Sequence, residues 1–333
     1  SYSVYYSRIF TMDKVKTIFL GTGWESVETL KTLHKSKEFE VVAVITTPDK
    51  PIGRKQIVTP SDVKKYALEN SIPVEQPDKV KERYIEIAQK YNPEIVICKA
   101  FGEIVPKEFL DYPKYGCINI HFSLLPKYRG AVPIQKALLD GEKETGITIM
   151  LMSEGLDEGD IIDTYTEEIR EDDTNISLRE RLVKKSTEVL IPVLNKWING
   201  EIVPIAQENS LATYCWQKDI SKDKAEIKWE EYEPKYIDRM VRAFIPWPIA
   251  WIVLPESNNE NLSKKTMKIY KAEITKGKKI IISGMLWTDG RDVYVSTKEK
   301  GISLKLIDFQ IEGRKRMGGR EFLNGVGRFI PKN

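Results

Sequence analysis

The residues with the clearest capacity for chemistry lie at the end of one short apolar segment. The run Cys117–His121 alternates apolar residues with Asn119 and His121. Side chains two apart on a β-strand share a face, so the amide and the imidazole are predicted to project together. The chain has only two histidines, and His34 is expected on the surface near a helix end. His121 is therefore the main candidate for histidine chemistry.

A carboxylate can complete this pair. The polar turn Ser153–Asp160 offers Asp157 or Asp160 as the third group. In acyl transfer to an amine, a carboxylate–imidazole pair can accept the proton that the amine loses. Asn119 and a protonated His121 can stabilise the oxyanion of the tetrahedral intermediate. The set predicts acyl transfer between two bound substrates.

Other kinds of site fit these residues less well. Ser123 is close to His121 in sequence, but no G-x-S-x-G elbow surrounds it. One histidine with carboxylates makes a poor metal site, so we expect no metal. The cysteines Cys98, Cys117 and Cys215 lack the spacing of zinc ligands or of a disulfide framework, which favours a reducing, cytoplasmic setting.

Each member of the set also has a purely structural explanation. Asn119 could satisfy backbone groups, and His121 could be a hydrogen-bonded core residue. Asp157 could simply form a turn. Residue type and spacing alone leave these explanations open.

The front half of the chain alternates buried-strand patterns with amphipathic helical ones, which predicts a doubly wound, mostly parallel, Rossmann-like sheet. The predicted strands are Val15–Leu20, Val41–Ile45, Ile72–Val74, Glu94–Ala100, Cys117–His121, Thr145–Leu151 and Ile161–Ile169. The predicted helices are Trp24–Lys35, Ser61–Asn70, Lys79–Tyr91, Pro133–Leu139 and Ser177–Ile198. The loops 101–106, 121–130 and 153–160 are expected to meet at the carboxyl ends of their strands.

Two further loops bear on nucleotide-cofactor binding and on the predicted secondary structure. Gly21 and Gly23 imitate a dinucleotide fingerprint, but Ser26 replaces its third glycine, which disfavours nicotinamide binding. The stretch Pro48–Ile57 carries two prolines, a glycine and three cations, and it is predicted to be irregular.

The back half changes in character and charge. After a helix at Lys235–Phe244, short strand patterns predict a small barrel. These strands are Ala250–Leu254, Met267–Ile274, Ile280–Trp287, Asp292–Ser296 and Ile302–Phe309. From Gln207 onward, 24 basic and 17 acidic residues give a net charge of +7, whereas the preceding residues carry −4. A polyanionic partner and an ordinary lysine-rich surface both account for this charge.

These changes predict a domain plan: an extension at 1–14, a catalytic domain at 15–198, a linker at 199–212 and a second domain at 213–333. No apolar run reaches the length of a membrane span, so no membrane partner is expected. The extension is interpreted as cloning-derived or poorly ordered, or as a transit-peptide remnant, which would place the protein in an organellar matrix.

The pattern Asn119-x-His121-x-Ser123-Leu124-Leu125-Pro126-x-Tyr128-Arg129-Gly130, followed by Gly155-Leu156-Asp157-x-Gly159-Asp160, resembles the signature of the 10-formyltetrahydrofolate-dependent formyltransferases. Within that family, the stretches 47–55, 213–229 and 242–251 resemble the branch that acts on methionyl-tRNA. The resemblance covers nearly the whole chain. It implies an OB-like second domain, a monomer, and formyl transfer from 10-formyltetrahydrofolate to the amino group of methionyl-initiator tRNA.

The resemblance also implies roles for residues. Asn119, His121 and Asp157 match the catalytic triad. The donor-binding positions match Ser123, Leu124, Leu125, Pro126, Phe101, Gly102, Glu103, Ile104 and Val105. Arg54 matches a loop residue that reads the tRNA acceptor end. Lys50 and Lys55 lie in the same loop and are expected to contact tRNA too. Independently of the resemblance, the density of cations in the basic stretch 264–279 and around 314–316 predicts tRNA contacts by Lys264, Lys265, Lys268, Arg314 and Arg316. Phe122 departs from the family pattern, where glycine is common, and is expected to narrow the pocket.

Three alternatives remain at this point. A sugar-nucleotide amine formyltransferase would use the same chemistry on another amine, without needing the Arg54 loop. A formyltetrahydrofolate hydrolase would use water instead of the amine. A nucleic-acid-binding module with a degenerate Rossmann domain would have no activity.

Overall fold

The computed structural model describes residues 13–277, 282–328 and 330–332. Its strands are β1 Val15–Gly21, β2 Phe39–Ile45, β3 Lys50–Ile52, β4 Ile57–Thr59, β5 Val74–Glu75, β6 Ile95–Lys99, β7 Cys117–His121, β8 Arg129–Gly130, β9 Glu144–Leu151, β10 Ile161–Glu168, β11 Tyr214–Cys215, β12 Trp251–Val253, β13 Thr266–Lys276, β14 Leu286–Thr288, β15 Val293–Ser296, β16 Ile302–Ile311 and β17 Arg316–Met317. Its α-helices are α1 Trp24–His34, α2 Asp62–Glu69, α3 Lys81–Tyr91, α4 Lys107–Leu110, α5 Pro133–Asp140, α6 Asn175–Ile198, α7 Pro234–Ala243 and α8 Gly319–Asn324.

A seven-stranded sheet organises the front half in the order β10-β9-β7-β6-β1-β2-β5. The neighbours from β7 to β5 run parallel. The chain starts at β1 and builds outward in both directions, which confirms the predicted mostly parallel sheet. Ile18, Phe19 and Leu20 have no exposed surface, as expected for a parallel strand covered on both faces.

Strand β9 departs from the parallel arrangement. It runs antiparallel to β7, with Ile118 opposite Leu151 and His121 opposite Thr148. The turn after β9 therefore leaves the sheet at the amino end of β7, where Met152 N donates to Cys117 O at 2.8 Å. The expectation that this turn starts at the same sheet edge as the other two loops was wrong, because the intervening helix α5 does not force a parallel crossover.

The predicted irregular stretch 48–57 also differs in the structure. Strands β3 and β4 form an antiparallel hairpin, with Lys50 opposite Thr59 and Ile52 opposite Ile57. The two prolines do not prevent this pairing because one precedes the hairpin and Pro51 lies in a short strand without a second neighbour. Gly53, with a φ of 74°, makes the turn.

The back half contains a curled antiparallel sheet in the order β12-β13-β16-β15-β14, with β17 paired to β16. Helix α7 packs against β13 and β16. The predicted strand Ile280–Trp287 is shorter than expected, since a turn occupies residues 282–285 and the strand begins at Leu286. Its first two residues, and residues 1–12 of the expected extension, lie outside the described residues.

The chain divides into two compact units that interleave in sequence. The first comprises residues up to 121, 147–164 and 183–209, and the second comprises 122–146, 165–182 and the residues from 210 onward. In the described ranges, no helix combines the length and the apolar character needed to cross a bilayer.

A buried ion pair anchors the second unit. Asp173, 2% exposed, binds the Arg181 guanidinium with both carboxylate oxygens, at 2.6 and 2.7 Å. Ser177 Oγ donates to the same carboxylate at 2.7 Å, and Arg242 Nη1 donates to the Asp173 carbonyl at 2.8 Å. The ion pair therefore fixes the residues before α6 to α6 itself, and the Arg242 bond joins them to the end of α7.

Replacing Asp173 by Asn is expected to lower the free energy of unfolding by about 2 kcal/mol at pH 7, less than for a fully buried pair because Arg181 is 22% exposed. Burial alone would raise the pKa of Asp173, but the hydrogen bonds from Arg181, the Arg170 amide and Ser177 lower it below 3.8. A lowered carboxyl pKa stabilises the fold above the unfolded-state pKa, and this contribution disappears as pH falls through the folded-state value. Denaturant unfolding between pH 7 and pH 2.5 should show the difference shrinking below about pH 4. The exposed Asp172→Asn is the control, and a pH-independent loss would contradict the assignment.

Candidate active site

Two side chains of the candidate site come from the end of β7. His121 is 6% exposed, and Asn119 is half-buried between Cys98 of β6 and Met150 of β9. As residues two apart on one strand, they belong to the same face of the sheet. No hydrogen bond joins the Asn119 amide to another described residue. Its two N–H groups can therefore donate to a bound substrate.

The turn after β9 brings a carboxylate to this face. Although the turn starts at the far end of β7, it folds back so that Asp157 Oδ2 lies 3.7 Å from His121 Nδ1. Both side chains are mostly shielded from solvent, with 14% and 7% exposed. The structure thus brings Asp157 to the imidazole, whereas the Asp160 side chain is not paired with it in the described ranges. The distance is longer than that of a hydrogen bond.

A close approach of backbone shapes this turn. A Cβ on Gly159 would lie 1.7 Å from the carbonyl oxygen of Leu151, so any side chain there would displace the turn. Asp157 itself has a φ of 49°, in the left-handed region that costs energy for a residue with a Cβ. Leu151 N donates to Asp160 O at 2.9 Å and closes the base of the turn.

The thiols beside the site stay protonated. Burial raises the pKa of Cys98 to about 12, with Lys99 opposing the rise and Asp157 adding to it. Burial raises the pKa of Cys117 in the same way. A neutral thiol is a weak nucleophile, so neither cysteine is set up to form a covalent intermediate. This electrostatic arrangement suits direct transfer between bound substrates.

The segment expected to contact the donor lies in the second unit and is held rigidly. Ser123 is fully buried, and its hydroxyl donates to Lys127 O at 2.6 Å. Tyr128 N donates to Thr213 Oγ1 at 2.8 Å. Gly130, at a φ of 119°, approaches Cys215 so closely that a Cβ would lie 2.2 Å from its carbonyl oxygen. Phe122 is 2% exposed. The conformation of Ser123–Pro126 is therefore set by its anchored C-terminal neighbours.

The other expected donor-binding loop, 101–105, follows β6 in the first unit. Phe101 and Val105 are buried anchors, while Ile104 is 89% exposed and Gly102 is exposed. The Glu103 carboxyl has one buried oxygen, Oε2, without a hydrogen-bond partner among the described residues. Burial raises the pKa of this carboxyl, against the attraction of Lys79 and Lys50. The loop thus presents an apolar tip and a partly desolvated acid.

The basic hairpin β3–β4 is fixed at its base and open at its tip. Gln76 Nε2 donates to Asp49 Oδ1 at 2.9 Å, and Lys64 Nζ binds the same carboxylate at 2.9 Å. These hydrogen bonds, from Gln76 first and then Lys64, lower the pKa of Asp49. Beyond this anchor, the candidate tRNA contacts Lys50, Arg54 and Lys55 are exposed.

The cations of the second unit that are expected to contact tRNA differ in exposure and in their pairing with other side chains. Lys268 and Arg316 lie on one rung of the sheet, both in register with Gln310. However, the Arg316 guanidinium pairs with Asp308 and lies 3.8 Å from the ring centre of Tyr270. Two other expected cations have partners on the same unit, because Lys264 pairs with Glu256 and Arg314 donates to Asn261. Lys265 is half-buried. Lys278 and Lys279 of the same basic stretch lie outside the described residues.

One residue of the site region was not predicted. Gln207, in the expected linker, donates from Nε2 to the carbonyl oxygens of Asp157 and Gly159, at 2.9 and 2.7 Å. No local pattern marks it, because its role depends on a contact 50 residues away. In the described part of the chain, no cluster of three or more His, Cys, Asp or Glu residues could hold a metal ion.

Comparisons with known proteins show the family of the chain. Residues 14–194 match the formyl transferase family model, and residues 219–327 match the model of the formyl transferase C-terminal domain. A methionyl-tRNA formyltransferase from Halalkalibacterium halodurans is 40% identical over 315 residues, covering 94% of this chain and 95% of the relative. One from Caldicellulosiruptor saccharolyticus is 40% identical over 313 residues, covering 92% and 96%.

Solved structures share the fold at lower identity. WlaRD, a sugar 3N-formyl transferase crystallised with dTDP and 5-N-formyl-THF, superposes with a TM-score of 0.61 at 22% identity, covering 91% of this chain and 100% of that one. HypX from Aquifex aeolicus, in complex with tetrahydrofolic acid, gives 0.63 at 16%, covering 96% and 49%. The sugar enzymes are thus more distant than the tRNA enzymes, and a module without activity is set aside. The chain belongs to the formyl transferase family of enzymes, among its methionyl-tRNA formyltransferases.

Proposed function

We propose that the protein transfers the formyl group of 10-formyltetrahydrofolate to the amino group of methionyl-initiator tRNA, and that Asn119, His121 and Asp157 carry the reaction. The observation that supports this most directly is the approach of Asp157 to His121, beside Asn119 on β7. The relatives named for this activity match over more than nine-tenths of the chain.

The proposed chemistry needs no covalent enzyme intermediate. The amine nitrogen attacks the formyl carbon, and the carbonyl electrons move onto oxygen. Asn119 and His121 donate hydrogen bonds to that oxyanion. Asp157 orients and stabilises the charged imidazole and helps take up the amine proton. The carbon–N10 bond of the donor then breaks, and the proton ends on N10.

The remaining assignments belong to the same proposal. Ser123–Pro126 and Phe101–Val105 contact the donor, and the hairpin around Arg54 reads the acceptor end of the tRNA. We also propose a catalytic domain at 15–198, a linker at 199–212 and an OB-like tRNA-binding domain at 213–333. We further propose that the protein is a monomer. We place it in the cytoplasm, which the bacterial origin of the relatives supports.

The deciding assay compares acceptors. With 10-formyltetrahydrofolate as donor, we expect the protein to formylate methionyl-tRNA and to leave amino-sugar nucleotides unmodified. Release of formate with no acceptor present would instead favour the hydrolase. Transfer to a sugar amine but not to tRNA would overturn the proposal.

Binding of tRNA should depend steeply on salt. If about four cations contact phosphates, raising salt from 50 to 200 mM should weaken binding by about 10²-fold, because condensed counterions are released on binding. Filter binding of the Lys268→Gln variant should lower the log–log slope by about 1. Lys90→Gln is the control, since Lys90 is exposed in the first unit and already paired with Glu75. A flat salt response would contradict the tRNA-binding role of the second domain.

A further inference from the structure

The segment that carries Gln207 is built into the first unit. Ile161 and Ile205 form an antiparallel bridge, with reciprocal N–H···O bonds of 2.8 and 2.9 Å. Two residues later, the half-buried Gln207 side chain reaches the turn after β9. The first part of the expected linker therefore pairs with the start of β10 and belongs to the first unit.

The contact that Gln207 makes is chemically specific. One amide nitrogen carries two hydrogens, and here each meets a different carbonyl oxygen, of Asp157 and of Gly159. A glutamate of the same shape would turn acceptors toward those carbonyls. A methionine of similar length would offer no donor.

The turn that Gln207 contacts needs outside support. Asp157 is held in the left-handed region at a φ of 49°, and Gly159 is pressed against Leu151 O. Conformations of this kind persist only where the surrounding structure fixes them. The Leu151–Asp160 bond closes the base of the turn, while the Gln207 bonds act at Asp157 itself.

We propose that Gln207 is a positioning residue, which fixes the backbone of the Asp157–Gly159 turn and thereby the distance between the Asp157 carboxylate and His121. This inference rests on the proposed function of Asp157. It assigns Gln207 no contact with either substrate. Its effect is therefore expected in the chemical step and not in binding.

Kinetics of Gln207→Met provide the first test. We expect kcat to fall by about 30-fold, because displacement of a catalytic group by about 1 Å can cost 10²-fold, while KM for both substrates changes less than threefold. Gln207→Glu should be at least as impaired, and Gln207→Asn should recover part of the activity if its shorter arm reaches one carbonyl. Val203→Ala is the control, because Val203 lies on the same segment and is 82% exposed.

A double-mutant cycle separates positioning from general stability. In an Asp157→Asn background, Gln207→Met should lower kcat by less than threefold, because residues that act through one group are not additive. Equal losses in both backgrounds would overturn the proposal. So would an unchanged kcat in Gln207→Met.

Hydrogen exchange keeps the inference testable if the proposed function fails. Amides of residues 153–160 should exchange at least tenfold faster in Gln207→Met than in the wild type, with the rest of the first unit unchanged. Wild-type protein that does not formylate methionyl-tRNA would refute the proposed function alone. Unchanged exchange in the turn would refute the role of Gln207, whatever the acceptor.

Discussion

Replacing Asp157 by Asn should lower kcat for formyl transfer by about 10²- to 10³-fold, within the range for loss of a positioned acid–base group. The amide keeps the size of the carboxylate but removes the negative charge that we propose stabilises a protonated His121 during the reaction. In the proposed mechanism Asp157 acts through the His121 imidazole, 3.7 Å away, so KM should change little. Steady-state kinetics with both substrates varied in turn would measure this.

Asp160→Asn is the matched control for that experiment. It lies in the same turn, and sequence spacing alone left it as a second candidate for the carboxylate. We expect at most a threefold loss of kcat, because among the described residues it is the Asp157 carboxylate that pairs with His121. A larger loss in Asp160→Asn than in Asp157→Asn would reassign the catalytic carboxylate.

Replacing Asn119 by Ala should lower kcat by about 10²- to 10³-fold, the loss found when one donor to an oxyanion is removed. The half-buried amide shares a face of the sheet with His121 and makes no hydrogen bond with another described residue. Its donors are thus available where the formyl oxygen would become charged. Single-turnover rates at saturating substrate would isolate this step.

The Asn119→Asp variant distinguishes hydrogen-bond donation by the Asn119 amide from a packing role of this side chain. Aspartate has the same shape but places acceptors near the oxyanion, so its loss should equal or exceed that of the alanine variant. Thermal unfolding of both variants should stay close to the wild type, since Asn119 anchors no described neighbour. If aspartate restored activity, the oxyanion role of Asn119 would be wrong.

The sequence predicted the centre of the fold because that part depends on local patterns. The apolar runs of β1 and β6 and the alternating pattern of β7 are local signals of strands. The direction of β9 was not predictable in this way. An alternating strand–helix–strand pattern favours a parallel pair, whereas the antiparallel register with β7 is set by tertiary contacts.

The same distinction applies to the site. Asn119 and His121 share a strand, so their shared face follows from strand geometry alone. The polar turn offered Asp157 or Asp160, and the spacing in the recognised motif singled out Asp157. Strand geometry could not make this choice, since the turn reaches His121 by folding back across the sheet. Gln207 had no signal at all, because its two acceptors lie on a turn distant in sequence.

The β3–β4 hairpin has a consequence for handling the protein. Its two short strands have no other sheet neighbour, and Ile52, Ile57 and Val58 are each more than half exposed. Unpaired strand edges with exposed apolar side chains can join a second copy of the same edge. Charged residues and a proline on the edge, here Lys50 and Pro51, oppose such joining. Neutralising the hairpin cations would thus favour self-association of the protein, in addition to removing the proposed contacts to tRNA.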